Sequence, residues 1–337
     1  MKKQLKSALA IALACASLIS GSSALAVNTK TTNSTGSSAT TGTILFTYDF
    51  SDYKLTPDLE ILSALGIMGG YEDNSFRPDN PITRAEALKC VISLALPLAL
   101  PLTVPHSEFL TPFNDISAND WHSAYWAVGK DMGIINGFED GSARPNDLVT
   151  YAQIQKMLVT ALGYSYNAEN LGGYPNGFLS CAKQLKLTDN RSIYDMSAPA
   201  KRADVAQMLI NAINAPIQIV SGYEADPTGM QTTTLAILDG TYVSEDKVKL
   251  PFTNILNSNG IYIVDATVKE LKDQSAVIEI AKAANLDNKE ITEPVTVTIS
   301  TDDISLDNIK SCKLIIKGSA ETGYSLVHLY SEFLEYK

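Results

Sequence analysis

Residues 66–88 read GIMGGYEDNSFRPDNPITRAEAL and combine a helix end, a turn rich in Gly, Asp and Asn, and a new helix start. Residues 133–154 repeat this pattern as GIINGFEDGSARPNDLVTYAQI, and the two stretches align without a gap at an offset of 67, which is 133 minus 66. A third and more divergent copy, LTDNRSIYDMSAPAKRADVA, occupies residues 187–206. The chain therefore contains a threefold internal repeat, and each copy predicts a helix–turn–helix unit.

The helix boundaries in this pattern follow from local chemistry. Gly66 suits the left-handed position that ends a short amphipathic helix. Thr83 and Glu86 have the T-x-x-E spacing of a capping box, in which each side chain binds a free amide at the helix start. Thr150 and Gln153 keep that spacing in the second copy. Both copies therefore predict a second helix that begins directly after a threonine.

The turn between the two helices is rich in residues that bind their own backbone. Asp73-Asn74 and Asp79-Asn80 can accept hydrogen bonds from nearby amides, and Pro78 predicts an extended backbone at Arg77. An Arg-Pro pair recurs at Arg144, and we interpret both arginines as packing on the turn, with a groove contact as the alternative. The turns could also hold calcium, but they lack the twelve-residue ligand register of a calcium loop.

The composition is that of a globular protein with more than one core. The chain has 337 residues, of which 45% are hydrophobic, and this length allows about two domains. The net charge of −11 and the pI near 4.8 argue against a nucleic-acid-binding protein, because binding to phosphates needs a basic face. An anionic ligand would therefore have to be bound by a few placed arginines.

The start of the chain predicts export. Residues 1–26 have the basic start, the apolar run and the small-residue end, Ala24-Leu25-Ala26, of a signal peptide. The alternatives are a retained N-terminal anchor and a lipoprotein at Cys15. Residues 27–43 are mostly Ser, Thr, Asn and Gly and predict a flexible linker. No later segment approaches the roughly 20 apolar residues that span a bilayer, so we expect a secreted protein.

The repeats predict an all-α module with pseudo-threefold organisation, and the remainder predicts a different fold. The repeats occupy residues 44–100, 113–165 and 174–216, with an insert rich in Pro and Leu at 98–112. Residues 217–337 contain β-branched runs and predict a small, mainly β, sandwich-like domain. Its expected strands lie at 233–238, 261–268, 276–280, 295–300 and 314–316, with one helical-looking interruption at 280–286.

Several motifs of the first two repeats resemble those of S-layer homology domains. These are Phe50-Ser51-Asp52 and Phe113-Asn114-Asp115 at the repeat starts, Trp121 and Trp126 before Gly133-Ile134-Ile135, and the turn that ends in T-R-A-E. The resemblance extends over residues 44–216 and is weakest in the third repeat. It does not cover residues 217–337.

This resemblance implies a surface-layer or envelope protein that is anchored non-covalently to the bacterial cell wall. Domains of this family bind a secondary cell-wall polysaccharide on peptidoglycan, often pyruvylated, in grooves between the repeats. The T-R-A-E signature contributes ligand contacts, and an aromatic side chain can stack on a sugar. The candidate binding residues that follow are Thr83, Arg84, Glu86, Arg202, Asp204 and Trp121.

Helix electrostatics separate the roles of these residues. The start of a helix presents free amides and the positive end of the dipole, so it already favours an anion. Thr83 and Glu86 cap the helix, which we interpret as their main contribution. Arg84 opposes the dipole, so we interpret it as a bidentate ligand contact, with a solvated arginine as the alternative. The second repeat has Tyr151 and Gln153 at the matching places, which predicts a weak or altered groove.

The sequence contains no motif that predicts catalysis. Its three histidines have no metal-ligand spacing, and the S-x-x-K match at Ser180–Lys183 lacks its partner motifs. We therefore expect no enzyme activity, no cofactor and no bound metal. The alternatives are a hydrolase or lyase in residues 217–337, an adhesive module that binds a partner, and self-assembly in a surface layer.

Overall fold

The computed structural model places the repeats and most of the C-terminal region. It describes residues 52, 56–98, 113–189, 191, 193, 195–225, 231–237, 242–243, 248–249, 253–281, 285–286, 289–291, 293–301, 304–330 and 333–337. The predicted signal peptide (1–26), the predicted linker (27–43) and nearly all of the insert at 98–112 lie outside the described residues.

Seven helices build the described part of the repeat region. They are α1 Pro57–Ala64, α2 Arg84–Ala95, α3 Ser123–Asp131, α4 Tyr151–Ala161, α5 Ser165–Asn170, α6 Asn176–Gln184 and α7 Arg202–Asn214. The pairs α1/α2, α3/α4 and α6/α7 form the three predicted helix–turn–helix units, and α5 lies between the second and the third. The first helix of each unit is followed by a residue with positive φ: Gly66, Gly133 and Lys186. The left-handed helix end predicted at Gly66 is thus confirmed.

Backbone hydrogen bonds join the three units into a closed ring. The first amide of each second helix donates to a carbonyl in the turn of another unit: Arg84 N to Asp147 O at 2.8 Å, Tyr151 N to Ala198 O at 3.1 Å and Arg202 N to Asn80 O at 2.8 Å. The second amide does the same, as in the bond from Ala85 N to Pro145 O at 3.0 Å. These amides are therefore occupied, and the prediction that they remain free for an anion is wrong.

The two capping boxes predicted from the sequence are present in the structure. Thr83 Oγ1 accepts from Glu86 N, and Glu86 Oε2 accepts from Thr83 N at 2.7 Å. Thr150 and Gln153 make the same reciprocal pair at the start of α4. Lys201 precedes α7 and offers no side-chain cap. Two of the three ring helices thus begin with an intact capping box.

The turns are anchored by an aspartate at the start of each of the first two repeats. The carboxylate of Asp52 accepts from Phe76 N at 2.6 Å and from Arg77 N at 2.8 Å. Asp115 accepts in the same way from the amides of residues 143 and 144. Arg77 has a φ of 55°, so the predicted extended backbone is wrong. The left-handed backbone at Arg77 lets the amides of residues 76 and 77 point toward the same carboxylate, which explains this conformation.

The described residues after the repeats form twelve strands. They are β1 Gln218–Ala225, β2 Gln231–Ile237, β3 Tyr242–Val243, β4 Val248–Lys249, β5 Ile261–Lys272, β6 Ser275–Ile280, β7 Asn285–Leu286, β8 Lys289–Glu290, β9 Val295–Ser300, β10 Ile309–Ser319, β11 Gly323–Leu329 and β12 Glu335–Tyr336. The expected strands near 233–238, 261–268, 276–280, 295–300 and 314–316 are confirmed. The helical pattern expected at 280–286 is wrong at both ends, because Ile280 belongs to β6 and Asn285–Leu286 to β7.

The main sheet closes on itself, so it is a small barrel and not the predicted sandwich. Its order is β11-β9-β6-β5-β10-β12, and β10 also pairs with β11. The contact between β9 and β11 is parallel, whereas the other pairs are antiparallel. Irregularities interrupt the register of β5 with β6 and of β10 with β11. Such bulges bend strands and increase their twist, which lets the two edges meet.

The barrel rests directly on the helical ring. Ile217, Ile261 and Ile315 belong to the same hydrophobic core as the repeat helices. Beside this core, Nε2 of His328 on β11 lies 2.8 Å from Oε1 of Glu60 on α1, and both side chains are buried. The barrel and the first repeat therefore share a buried, polar contact. None of the helices in the described part of the chain combines the length and the hydrophobicity that a membrane span requires.

Candidate functional site

The clearest candidate site is a groove on the ring between the first two repeats. Groove A is a cavity of about 350 Å³ whose lining includes Arg84, Phe138, Gln153, Lys156 and Tyr174. Arg84 comes from the first turn of α2, and Gln153 and Lys156 from successive turns of α4. Phe138 comes from the turn of the second repeat, and Tyr174 precedes α6. The ring closure described above brings these residues together.

Arg84 is held rigidly at the base of groove A. Its side chain is buried, Nε donates to Ala143 O at 3.0 Å, and the guanidinium carbon lies 4.8 Å from the centre of the Phe138 ring. Burial lowers the pKa of Arg84, and nearby Asp147 opposes this shift. Arg84 is thus not a solvated arginine on a turn. Within the described residues, its terminal nitrogens form no hydrogen bond or ion pair.

Lys156 is the second cation of groove A. Burial lowers its pKa, and Glu169 opposes this shift at a distance. Its Nζ lies 5.7 Å from the centre of the Phe178 ring, and no described carboxylate forms an ion pair with it. No residue that lines groove A carries a carboxylate. Two desolvated cations without an acidic partner make an arrangement that favours an anionic ligand.

Groove B lies between the third and first repeats and consists of Arg202, Tyr71, Glu86 and Lys89. Arg202 is buried, its Nη2 donates to Gly69 O, and its guanidinium carbon lies 4.7 Å from the centre of the Tyr71 ring. The Tyr71 hydroxyl donates to Glu86 Oε1 at 3.4 Å. Lys89 Nζ is bonded to the carbonyls of residues 66 and 67. Groove B thus contains a carboxylate, and its lysine is occupied.

Groove C lies between the second and third repeats and consists of Tyr151, Arg191 and Asp204. The Tyr151 hydroxyl donates to Asp204 Oδ2, and Nη1 of Arg191 lies 3.3 Å from Asp204 Oδ1. Arg191 Nη2 also donates to Ala203 O at 3.1 Å. Burial, followed by the hydrogen bond to Asp204, raises the pKa of Tyr151 to about 12. The cation of groove C is therefore paired within the protein.

The three grooves are built from corresponding parts of the repeats. One repeat contributes the first residue of its second helix: Arg84, Arg202 and Tyr151 in grooves A, B and C. The neighbouring repeat contributes a turn residue, which is Phe138, Tyr71 and Arg191, and the third residue of its second helix, which is Gln153, Glu86 and Asp204. Groove A combines two cations with a neutral Gln, whereas grooves B and C each contain a carboxylate.

Candidate binding residues that are close together in the sequence therefore face different grooves. Arg84 and Glu86 stand two residues apart on α2 but face grooves A and B, and Arg202 and Asp204 divide in the same way between grooves B and C. Thr83 lies at the cap of α2, bonded to Glu86. Trp121 is 55% exposed and makes edge contacts with His122 and Tyr125. It is not among the residues that line groove A.

Three residues that matter for the grooves were missed from the sequence. Lys156 and Tyr174 line groove A, and Arg191 supplies the cation of groove C. Lys156 could have been identified from the sequence, because it follows Lys89 at the repeat offset of 67 residues. Arg191 was hidden in the most divergent turn, whose register with the first two turns is not evident from the sequence.

The described residues offer no constellation for metal binding or for serine catalysis of the S-x-x-K type. They contain no group of three or more His, Cys, Asp or Glu side chains that could hold a metal ion. Ser180 Oγ donates to Asn176 O at 2.8 Å within α6, as a helical serine commonly does. His122 lies buried beside Trp126, and His328 is bonded to Glu60.

Comparison with known proteins gives matches to cell-surface proteins. Residues 49–88 and 112–154 match the S-layer homology domain. A middle cell wall protein of Brevibacillus brevis is 31% identical over 166 residues, which are 49% of this chain and 15% of that protein. A surface layer protein of Brevibacillus choshinensis is 29% identical over 175 residues, 52% of this chain and 15% of that protein.

Similarity also extends to an enzyme. An amylopullulanase of Thermoanaerobacterium thermosulfurigenes is 29% identical over 135 residues, which are 38% of this chain and 7% of that protein. The chain thus spans at most 15% of the length of each of these three relatives. Arg84, Phe138 and Gln153 fall inside the matched domain, whereas Lys156 and Tyr174 lie beyond it. Two stretches of the chain, residues 49–88 and 112–154, therefore match S-layer homology repeats, and the chain is a protein of the cell-wall surface.

Proposed function

We propose that this chain is held non-covalently on the cell wall by acidic groups of a secondary cell-wall polysaccharide that bind in groove A and, more weakly, in groove B. The observation that carries this proposal is the pair formed by Arg84 and Lys156, two cations in one cavity that has no acidic lining residue. Such a site is suited to a carboxylate on a sugar, for example a pyruvate ketal.

The geometry supports a division of labour within groove A. The fixed fork of Arg84 can bind both oxygens of a carboxylate, while Lys156 contributes a point charge. Tyr174 is half-exposed at the cavity edge and offers a ring face for a sugar. Each hydrogen bond to a charged group contributes about 1.5–3 kcal/mol net. A polymer that occupies two grooves gains further affinity because its second contact is intramolecular.

The test uses the full chain and purified wall sacculi, before and after hydrofluoric acid removes the secondary polymer. We expect the chain to co-sediment with untreated sacculi and to stay in solution with treated ones. Arg84→Lys keeps the charge but loses the fork, so it should weaken binding about tenfold or more. Equal binding to treated and untreated sacculi would contradict the proposal.

We also propose that the barrel has a structural role and no enzymatic one. It shares a hydrophobic core with the ring, which suits a part that supports the wall-binding repeats. Incubation of the full chain with sacculi should therefore release no soluble sugar or peptide. Release of fragments at a rate proportional to the protein concentration would favour the hydrolase or lyase alternative.

A further inference from the structure

Groove C differs from the other two grooves by an exchange of residue types. In grooves A and B an arginine from the start of a helix lies over an aromatic ring from a turn, at 4.8 Å for Arg84 and Phe138 and 4.7 Å for Arg202 and Tyr71. In groove C the helix supplies the aromatic residue, Tyr151, and the turn supplies the arginine. Groove C thus also contains an arginine and an aromatic residue, but the helix and the turn supply the opposite residue types.

The exchanged pair in groove C already holds a carboxylate. Asp204 accepts from the Tyr151 hydroxyl and is ion-paired with Arg191, and their side chains are 16% and 27% exposed for Asp204 and Arg191. The corresponding third helix position carries neutral Gln153 in groove A. The third helix position therefore leaves the cations of groove A unpaired, whereas in groove C its carboxylate neutralises Arg191.

We propose that Asp204 is a built-in carboxylate ligand of groove C, which closes this groove to acidic sugars and leaves a third carboxylate site that opens when Asp204 is neutralised. This inference rests on the proposed function of groove A, because it takes the ligand to be a sugar carboxylate. It predicts that one substitution adds a binding site to the protein.

Two features indicate that the Asp204 carboxylate can be replaced without loss of the fold. The ring closure between the second and third repeats is secured by backbone bonds, such as Tyr151 N to Ala198 O and Ala200 N to Val149 O at 2.8 Å, which do not involve Asp204. Arg191 is also fixed independently through Ala203 O. Its guanidinium therefore has an anchor that persists when Asp204 changes.

The experiment is isothermal titration calorimetry of the full chain with a methyl hexoside that carries a pyruvate ketal, and with the unmodified methyl hexoside as a control. Asp204→Asn keeps the size of the side chain, and Asp204→Gln copies groove A. We expect either variant to bind one more equivalent of the ketal than the wild type does, and no more of the neutral sugar. Asp131→Asn removes one exposed negative charge elsewhere and should leave the stoichiometry unchanged.

Arg191→Gln in the Asp204→Asn background should abolish the added equivalent, which locates it in groove C. If the wild type binds the ketal and neither Asp204 variant gains a site, the inference is overturned while the proposed function stands. Loss of the folded state in both variants would also overturn it, because Asp204 would then be a structural clasp. If the wild type binds nothing and a variant binds one equivalent, the inference holds and the proposed site in groove A fails.

Discussion

Lys156 is the residue that most clearly distinguishes groove A from the other grooves. Lys89 stands at the equivalent place in groove B, but its ammonium is used by the carbonyls of residues 66 and 67. Arg84 is less suitable as a single test, because its Nε also bonds Ala143 O across the repeat boundary. A change at Lys156 therefore alters the charge of groove A with little effect on the ring.

The lowered pKa of Lys156 predicts a pH dependence of wall binding. Burial favours the neutral amine, so the cation is lost as the pH rises through a pKa below the ordinary value of 10.5, and an anionic ligand should then bind less tightly. Lys156→Arg stays charged and should retain binding to a higher pH. Co-sedimentation with sacculi between about pH 8 and pH 10.5 measures this, and identical pH profiles for the two proteins would argue against it.

Among the elements, the helix starts show most directly how local sequence determines structure. Thr83→Ala removes the oxygen that accepts from Glu86 N and should lower the free energy of unfolding by about 1 kcal/mol. Urea unfolding followed by circular dichroism measures this change. The reverse substitution, Lys201→Thr, supplies the missing cap of α7 and serves as the matched variant. No loss of stability in Thr83→Ala would show that the cap contributes nothing in this ring.

The turns depend in the same way on a single carboxylate. Two backbone amides donate to Asp115, at 2.7 Å each. Asp115→Asn leaves one oxygen that can accept from one of them and places its side-chain NH2 group against the second. We expect a loss of roughly 1 kcal/mol, measured by urea unfolding, with Asp131→Asn as the control. If Asp115→Asn is as stable as the wild type, water replaces the hydrogen bond that the substitution removes.

The elements predicted from the sequence are those that depend on residues three or four positions apart. The capping boxes and the left-handed helix end at Gly66 belong to this class. The partition of Arg84 and Glu86 between two grooves could not be predicted, because it depends on which turn closes onto which helix. The barrel was missed for a similar reason, since its closure rests on pairing between β10 and β11 and on bulges that periodicity does not reveal.

At the scale of the whole molecule, the ring and the barrel form a joint structure. Glu60 and His328 are buried against each other at 2.8 Å, although they lie 268 positions apart in the chain. Hydrophobic residues on both sides of the contact belong to one core. Cutting the chain near residue 217 would therefore expose apolar surface on each piece, and experiments on wall binding are best done with the full chain.

This contact predicts cooperative unfolding of the two parts. Glu60→Ala leaves the buried Nε2 of His328 without this hydrogen-bond partner, and a buried polar group left unpaired costs about 1–3 kcal/mol. Differential scanning calorimetry should show one transition in the wild type and a lower melting temperature in Glu60→Ala. Two separate transitions in the wild type, with only one affected by the substitution, would show that the ring and the barrel unfold independently.

The central claim is that the free cations of groove A bind the wall polymer. The measurement that tests it most directly is the affinity of full-length Lys156→Gln for untreated sacculi, compared with Lys272→Gln, which removes an exposed cation on the barrel. We predict that Lys156→Gln binds at least tenfold more weakly than the wild type, whereas Lys272→Gln binds equally well. Equal affinity of Lys156→Gln and the wild type, with both proteins folded, would contradict the claim.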